Sequence, residues 1–281
     1  MPRPHSERPL PSESMMALRV SDRLAQLTVL VGAMEELAPG KLEEKTEHYP
    51  WRVARIAAPR WLRGRIGNVL FSPQMERTLS VVMFGSAVVL LVANPKSGFA
   101  RATRLVQLST HIYQHSRAAG FGRDGSDHAL VVLDGAQLVA ALAKPGSRAE
   151  RIALGFLGAQ ALLAYFTSGF VKAISPVWRA GQAMSGVMRT SSYGDAKLYR
   201  FLRKYPAVEK AAAWGVIVGE TAVPLLPFVP RWLRQLWHLG LLGMHAGIAR
   251  YMGLNRFFWS FAALQAPLGY VLDRLSCFVR K

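Results

Sequence analysis

The sequence predicts an all-α integral membrane protein, a polytopic helical bundle of about seven spans with six to eight allowed. The first observation is that residues 152–171 form an uncharged apolar run of 20 residues, which is long enough to cross a bilayer as a helix. The second is the composition, which is 51% hydrophobic although the net charge is +18. The third is that Lys and Arg flank the apolar runs, which favours anchoring at a lipid bilayer over binding to nucleic acid.

The amino-terminal quarter of the chain differs from the rest. Residues 1–16 carry four prolines among charged side chains and lack the apolar core of a secretory signal, so we expect a disordered arm there. Residues 17–74 predict amphipathic and interfacial helices. Within them, residues 21–36 have leucines at helical spacing among charged side chains, as a weak first span or a surface helix would. Residues 51–71 place two tryptophans among five arginines, which is typical of a helix lying in the membrane interface.

Six stretches between residues 75 and 275 predict spans, and a seventh, residues 101–118, is amphipathic. The six are residues 78–94, 128–143, 152–174, 211–229, 236–254 and 257–272, with residues 276–281 left as a tail. Pro224 is expected to kink or end its helix because proline lacks the amide hydrogen of the helical ladder. With these seven spans, 23 Lys and Arg residues fall on the amino-terminal side of the membrane and 11 on the other. We therefore expect a multi-pass plasma-membrane protein with a cytoplasmic amino terminus.

Ionisable groups within the predicted spans indicate a functional site, because burying them at membrane depth is costly. These groups are His128, Asp134, Lys172, Glu220, His238 and His245. For each of them a purely structural role is the alternative. The two carboxylates then pair with an arginine at a helix end or are held protonated by their neighbours. His128 then caps a helix at the interface, and His238 lies among the headgroups beside Trp237. His245 then lies where Gly240, Gly243 and Gly247 let two helices approach closely.

Lys172 is the central residue of the site because it appears while the apolar run is still continuing. Ser168, Gly169 and Tyr165 precede it by four, three and seven residues, so a hydroxyl, a gap and a phenol share its helix face. Two interpretations stay open. Lys172 either extends to the headgroups at the end of the span, or lies in an apolar pocket, where loss of solvation favours the neutral amine and makes it a base.

His111 and His115 were considered as metal ligands because they are four residues apart and would share a helix face. No acid or third histidine lies close to them in the sequence. An interfacial polar face accounts for them better, and we assign no metal site.

Residues 165–184, YFTSGFVKAISPVWRAGQAM, resemble a stretch of vitamin K-dependent gamma-glutamyl carboxylase and of its bacterial relatives, the horizontally transferred transmembrane (HTTM) domain family. In that family a Tyr-Phe pair leads to a lysine, then to a tryptophan and a glycine-containing turn. Three further stretches are similar to the family pattern: residues 127–138 (DHALVVLDGAQL), 216–226 (VIVGETAVPLL) and 245–258 (HAGIARYMGLNRFF). The resemblance covers residues 75–275, the HTTM-like transmembrane domain.

The resemblance implies roles for individual residues. Lys172 stands where the family has the lysine that deprotonates reduced vitamin K, and His128 stands where it has a histidine near the active site. The implied cavity-lining and substrate-binding residues are Tyr165, Ser168, Trp178, Glu220 and His245. Reduced vitamin K or a menaquinone-type hydroquinone is the implied cofactor, and a small peptide or protein is the implied substrate.

The chain departs from the family in several respects. It shows no counterpart of the large extramembrane region that binds propeptide and glutamate in the vertebrate carboxylase. The spacing from Lys172 to Trp178 differs slightly from the carboxylase pattern, and the residues before Thr78 have no clear counterpart. The family also places the loop after the lysine on the extracytoplasmic side, whereas the charge count puts residues 175–210 inside.

The predicted function is a membrane enzyme in which Lys172 acts as general base on a lipid-soluble hydroquinone, with carboxylation implied by resemblance alone. The alternative is a non-catalytic scaffold, immunity or partner-binding protein of the same fold, whose polar groups only pack helices. A small transporter is disfavoured because the sequence shows no inverted repeat. We find no zinc-binding cysteine spacing, phosphate-binding glycine loop or RNA-binding signature, and expect no nucleic-acid partner.

Overall fold

Helices make up the regular structure of the chain. The computed structural model describes residues 11–39, 60, 64–117 and 125–279, and no strand occurs within those ranges. The helices are α1 (Pro11–Leu37), α2 (Arg65–Leu70), α3 (Pro73–Val92), α4 (Gly98–Arg117), α5 (Gly125–Leu142), α6 (Arg148–Ile174), α7 (Pro176–Arg179), α8 (Ala183–Met188), α9 (Ala196–Lys204), α10 (Pro206–Thr221), α11 (Arg231–Met252) and α12 (Asn255–Val279), with a 3-10 helix (Val223–Phe228) after α10. The predicted all-α class is confirmed for this part of the chain.

Helix boundaries follow local capping chemistry. The Ser72 hydroxyl accepts a hydrogen bond from the amide of the third residue of α3 (3.2 Å), and Pro73 occupies the first position, where a missing amide hydrogen costs nothing. Ser147 caps α6 in the same way through the amide of Glu150 (3.3 Å). Gly253, with a φ of 71°, ends α11 in the left-handed conformation that glycine adopts most readily.

Each predicted span overlaps one helix. The amphipathic residues 101–118 correspond to α4, and the other six correspond to α3, α5, α6, α10, α11 and α12. α10 ends at Thr221, and Pro224 follows in the 3-10 helix, so the predicted effect of that proline is confirmed.

Two of the described helices are long and apolar enough to cross a bilayer. They are α3 and α6, whose most apolar windows have mean hydropathies of 1.7 and 1.4. The other helices do not meet that measure; α10, for example, has only 16 residues. Length and apolarity therefore give two candidate spans among the described helices, where the sequence predicted about seven.

α1 lies inside the bundle, which differs from the interfacial helix predicted within residues 17–74. Ala25 and Val29 are buried in the two larger apolar clusters, because the face of α1 that carries them packs against α3, α5 and α12. The helix also begins at Pro11, so residues 11–16 are helical instead of a disordered arm. Residues 1–10 and most of residues 51–71, including both tryptophans, lie outside the described residues.

Polar contacts mark the two ends of the bundle. At the first end the α3–α4 and α5–α6 loops meet, and Lys96 Nζ lies 3.2 Å from Glu150 Oε1. At the second end Arg256, at the start of α12, lies 3.6 Å from Glu35 near the end of α1. Leu18, near the start of α1, belongs to an apolar cluster at the first end. α1 therefore runs the length of the bundle.

α6 is held tightly against α12, and this contact positions the site. A Cβ on Gly158 would overlap the backbone carbonyl of Pro267, so the two helices approach as closely as glycine permits. Tyr165, two turns further along α6, is consequently buried against α12, and Lys172 follows two turns later on the same side.

Candidate functional site

A cavity of about 940 Å³ lies between α6, α10, α11 and α12 and is roofed by α8 and α9. Its wall is mostly apolar, and its volume is within the range of small-molecule sites. Six of the seven predicted site residues line it: Tyr165, Ser168, Lys172, Trp178, Glu220 and His245. Helical spacing places the first three on one face of α6, and the fold brings the others to that face.

Lys172 lines this cavity and is paired within the bundle. Its Nζ lies 2.6 Å from Glu220 Oε2 and donates a second hydrogen bond to the Ser168 hydroxyl. The Trp178 ring centroid lies 5.3 Å from the same nitrogen, within cation–π range. The side chain of Lys172 is 18% exposed and that of Glu220 is 7% exposed. These contacts do not fit a lysine that only extends to the headgroups.

Glu220 reaches Lys172 because α6 and α10 pack closely at Gly169. A Cβ on Gly169 would lie 2.5 Å from the backbone nitrogen of Thr221 and 2.8 Å from Glu220 Cβ. A larger residue would force the helices apart. The gap that the sequence places beside Lys172 is therefore filled by the backbone of α10.

The ion pair determines what Lys172 can do chemically. An ammonium cannot act as a base until its proton has passed to an acceptor, and Glu220 is the carboxylate in contact with Lys172. The pair thus places a proton donor and a proton acceptor in contact at the cavity wall.

A chain of four polar side chains begins at the cavity wall, which Tyr165 and His245 line, and continues into the bundle. Its order is His238, Gln265, Tyr165 and His245. The successive contacts are His238 Nδ1 to Gln265 Oε1 (2.6 Å), Gln265 Nε2 to the Tyr165 hydroxyl (2.7 Å) and that hydroxyl to His245 Nε2 (3.0 Å). Gln265 Nε2 also lies 3.4 Å from the carbonyl oxygen of Phe261, so the amide nitrogen belongs on that side.

The orientation of the Gln265 amide sets the direction of the chain. Gln265 donates to the Tyr165 oxygen, so Tyr165 donates its own hydrogen to His245 Nε2. An accepting Nε2 in a neutral imidazole leaves the hydrogen on Nδ1. His245 Nδ1 is buried and has no hydrogen-bond partner among the described residues. It is therefore a donor that a ligand oxygen in the cavity would satisfy.

Five glycines leave the space that the cavity occupies. They are Gly215 and Gly219 of α10 and Gly240, Gly243 and Gly247 of α11, and an added Cβ would meet nothing within 4 Å at any of them. The alternative in which the α11 glycines let two helices approach closely therefore does not describe this structure. Because these glycines have no side chain, the space beside them stays open and forms part of the cavity.

The cavity opens towards the outer apolar surface of the bundle. Val218 of α10 and Leu236 of α11 both line it, and they are 50% and 54% exposed. An apolar molecule can therefore reach the cavity from the surface of the bundle.

His128 is the predicted site residue that the structure does not bring to the cavity. It is exposed near the second end, and its ring packs edge-on against His115 with 4.6 Å between centroids. None of the described residues that line the cavity belongs to α5, the helix that carries His128. The expected placement of His128 beside Lys172 does not occur, because α5 packs on the far side of α6.

Asp134 belongs to a separate buried network between α1, α4 and α5. Arg104 Nη2 donates to both carboxylate oxygens of Asp22 (2.9 and 2.8 Å). Asp134 accepts from Gln107 Nε2 (2.8 Å), and its other oxygen lies 2.6 Å from His111 Nδ1. Across the described ranges, no group of three or more His, Cys, Asp and Glu side chains is arranged to hold a metal ion.

Gln265 is the site residue that the sequence interpretation missed. It stands inside the predicted span of residues 257–272, and a search for polar as well as ionisable side chains at membrane depth would have found it. Leu198 and Leu202 of α9 form the roof of the cavity. Nothing in the sequence marks them as site residues, because only the folding of the α6–α10 connection brings them to the cavity.

Comparisons with protein-family models, with curated proteins and with solved structures give no match for this chain. The structure itself defines a helical protein with a largely apolar cavity that is open to the surface and is lined by an ion pair.

Proposed function

We propose that this chain is a polytopic membrane protein whose cavity binds a lipid-soluble hydroquinone, and that Lys172 acts there as general base. The observation that carries this function is the Lys172–Glu220 pair at 2.6 Å, which lines an apolar cavity open to the outer surface. Such a site holds an acid–base couple where an apolar substrate can reach it.

The distribution of polarity supports residence in a bilayer. Large apolar side chains are exposed along α6 and α11, among them Phe156, Leu163 and Leu239, whereas Asp22, Arg104 and other charged groups are buried. A protein in water usually shows the opposite arrangement, and a bundle in lipid shows this one. On this basis α1, α4, α5 and the other long helices cross the membrane together with α3 and α6.

The polar groups of the cavity support an oxygen-bearing ligand. His245 offers an Nδ1–H, and the Lys172 amine can take a proton from a bound hydroxyl after its own proton has passed to Glu220. A reduced naphthoquinone supplies such a hydroxyl, together with the two electrons and two protons that reduce oxygen to hydrogen peroxide. The resemblance to the HTTM family adds reduced vitamin K or menaquinone as the compound, and a peptide or protein as an acceptor of later chemistry.

Oxygen-dependent oxidation of reduced menaquinone or vitamin K by the purified protein in detergent tests this function. We expect Lys172→Met to lower the rate by about 10²-fold or more, which is the usual contribution of a general base. Lys144→Met, which removes an exposed lysine outside the cavity, is the control and should leave the rate unchanged. Equal rates for wild type and Lys172→Met would refute the enzymatic role.

Filling the cavity tests binding separately from chemistry. Gly243→Leu places a side chain in open cavity space, whereas Gly155→Leu adds the same side chain to α6 where nothing lies within 4 Å and no cavity is lined. Binding of 2-methyl-1,4-naphthoquinone, followed by quenching of Trp178 and Trp237 fluorescence, should be lost only in Gly243→Leu. Undiminished quenching in that variant would place the ligand elsewhere.

The second candidate is a non-catalytic membrane scaffold or partner-binding protein. It is favoured by the ion pair itself, because a paired lysine and glutamate can serve only to join α6 to α10. Lys172→Arg separates the two candidates, since arginine keeps the cation but cannot become a neutral base. Loss of oxidation activity in a folded Lys172→Arg variant would support the base, whereas an unaltered protein with no oxidation activity, whose stability Lys172→Arg preserves, would favour the scaffold.

A further inference from the structure

The connection between α6 and α10 carries an excess of positive charge that nothing in the described chain neutralises. Residues 175–210 contain seven Lys and Arg residues and two acids, Asp195 and Glu209. Asp195 caps α9 by accepting from the amide of Leu198 (2.7 Å), and the buried Glu209 accepts from the amide of Ser185 (2.7 Å). Both carboxylates are therefore used within the connection, and its cations face outward.

Four of these cations form one face of α9. They are Lys197, Arg200, Arg203 and Lys204, all exposed. At 3.6 residues per turn they cover an arc of about 120° of the helix. No carboxylate of the described residues lies within ion-pair distance of any of them, and the one side-chain hydrogen bond, from Arg200, goes to the backbone of Ala196 (3.1 Å).

The opposite face of α9 is fixed to the cavity. Leu198 and the buried Leu202 both line it, so α9 cannot turn its cations inward without exposing the cavity roof. The orientation of the basic face is thus set by the fold.

Exposed aromatic rings border the basic face. Phe201 is 47% exposed and Tyr205 is 43% exposed, and their rings lie 5.1 Å apart. Tyr193 and Trp214 are also exposed on the neighbouring segments. Aromatic rings beside lysine and arginine are typical of the headgroup layer, where an apolar ring and a charged group are both accommodated.

We infer that the basic face of α9, defined by Lys197, Arg200, Arg203 and Lys204, docks on the anionic headgroups of the surrounding phospholipid. Charge complementarity selects anionic over zwitterionic lipid, and Phe201 and Tyr205 enter the headgroup layer beside it. A nucleic acid or an acidic protein could bind the four cations of α9. Neither would account for the exposed aromatic rings, which continue onto the apolar surface of α10. The cavity roof is thereby held at the membrane surface.

A bimane fluorophore on the full chain tests this docking. It is attached at Phe201→Cys, and in a second protein at Ala207→Cys, both in a Cys277→Ser background that removes the single native cysteine. The labelled proteins are reconstituted in nanodiscs of phosphatidylcholine with increasing phosphatidylglycerol. We expect the emission to move to shorter wavelength as phosphatidylglycerol rises, and to return on adding salt.

Two matched variants separate docking from net charge. Lys197→Gln/Arg200→Gln/Arg203→Gln/Lys204→Gln should lower the equilibrium constant for docking by about fivefold for each cation removed, and so abolish the phosphatidylglycerol-dependent shift. Arg77→Gln/Lys144→Gln/Arg148→Gln/Arg231→Gln changes the charge equally at exposed positions elsewhere and should leave the shift unchanged. Lys197→Glu/Arg200→Glu/Arg203→Glu/Lys204→Glu, which makes the face anionic, should respond to a cationic lipid instead.

A bimane signal that stays aqueous at every lipid composition, or that the control variant shifts as much as the α9 variant, would overturn the inference. An aqueous signal that moves only on adding an acidic polypeptide or a nucleic acid would assign the face to that partner. The result is independent of quinone oxidation, since the fluorophore reports the surface and not the cavity.

Discussion

At the scale of single residues, the site depends on two residues outside the predicted set of site residues. Gly169 lets α10 approach α6, and the Gln265 amide orients Tyr165 and His245. The reactive groups in the sequence, Lys172 and Glu220, would be an unpaired lysine and an unpaired glutamate without the first of these contacts.

Gly169→Ala is expected to separate Lys172 from Glu220 and to destabilise the protein by about 1–3 kcal/mol, as overpacking does. The clash falls on backbone atoms of α10, which cannot move aside as a flexible side chain can. Gly155→Ala in the same helix is the control, where an open position should gain up to about 1 kcal/mol from helix propensity. Apparent unfolding temperatures in detergent measure both, and an unchanged value for Gly169→Ala would contradict the close contact.

The direction of the hydrogen-bond chain gives a second prediction. In protein labelled with ¹⁵N at histidine, His245 should carry its hydrogen on Nδ1, with the resonance assigned by its loss in His245→Phe. Gln265→Leu should remove this preference and cost about 1–3 kcal/mol, because buried groups of Tyr165 and His238 lose their partner. Observation of the Nε2-protonated form in the unaltered protein would show the chain to run the other way.

At the scale of helices, polar contacts join α1 to the rest of the bundle. Arg104 of α4 and Asp22 of α1 form a buried ion pair, with Gln26 donating to the same carboxylate (3.3 Å). A buried pair costs free energy to desolvate, but the loss of one partner costs more, since the other charge is left uncompensated.

Arg104→Met is therefore expected to lower the free energy of unfolding by about 3–5 kcal/mol. The double variant Asp22→Leu/Arg104→Met should recover part of this loss because neither charge remains alone. Arg77→Met, at an exposed position, should stay within about 0.5 kcal/mol of the unaltered protein. Unfolding in detergent by increasing denaturant measures all three, and a double variant less stable than Arg104→Met would contradict the pairing.

At the scale of the whole molecule, α1 determines on which side of the proposed membrane bundle the amino terminus lies. It starts at the first end, beside the α3–α4 loop, and finishes at the second end beside α12. Arg19, near the start of α1, therefore lies at the first end, which in the predicted seven-span arrangement is the side with fewer Lys and Arg residues. This placement reduces the difference in positive charge between the two sides, and the expected cytoplasmic amino terminus depends on that difference.

Labelling with a membrane-impermeant maleimide tests this arrangement. In the Cys277→Ser background, Glu13→Cys and Lys144→Cys should react from one side of sealed vesicles, and Lys197→Cys from the opposite side. All three positions are exposed, so accessibility differs only by side. Reaction of Glu13→Cys and Lys197→Cys from the same side would show that α1 does not cross the membrane. It would support the interfacial position predicted from the amphipathic sequence of α1.

The sequence alone determined the helical class, the approximate position of each long helix and the face of α6 that carries Tyr165, Ser168 and Lys172. These features follow from hydrophobic patterning, proline and helical periodicity, which are local. Only the tertiary structure decided that Glu220 pairs with Lys172, that His128 lies elsewhere and that the α11 glycines leave a cavity. Each of these depends on which helix packs beside which, and that choice is made by side chains far apart in the sequence.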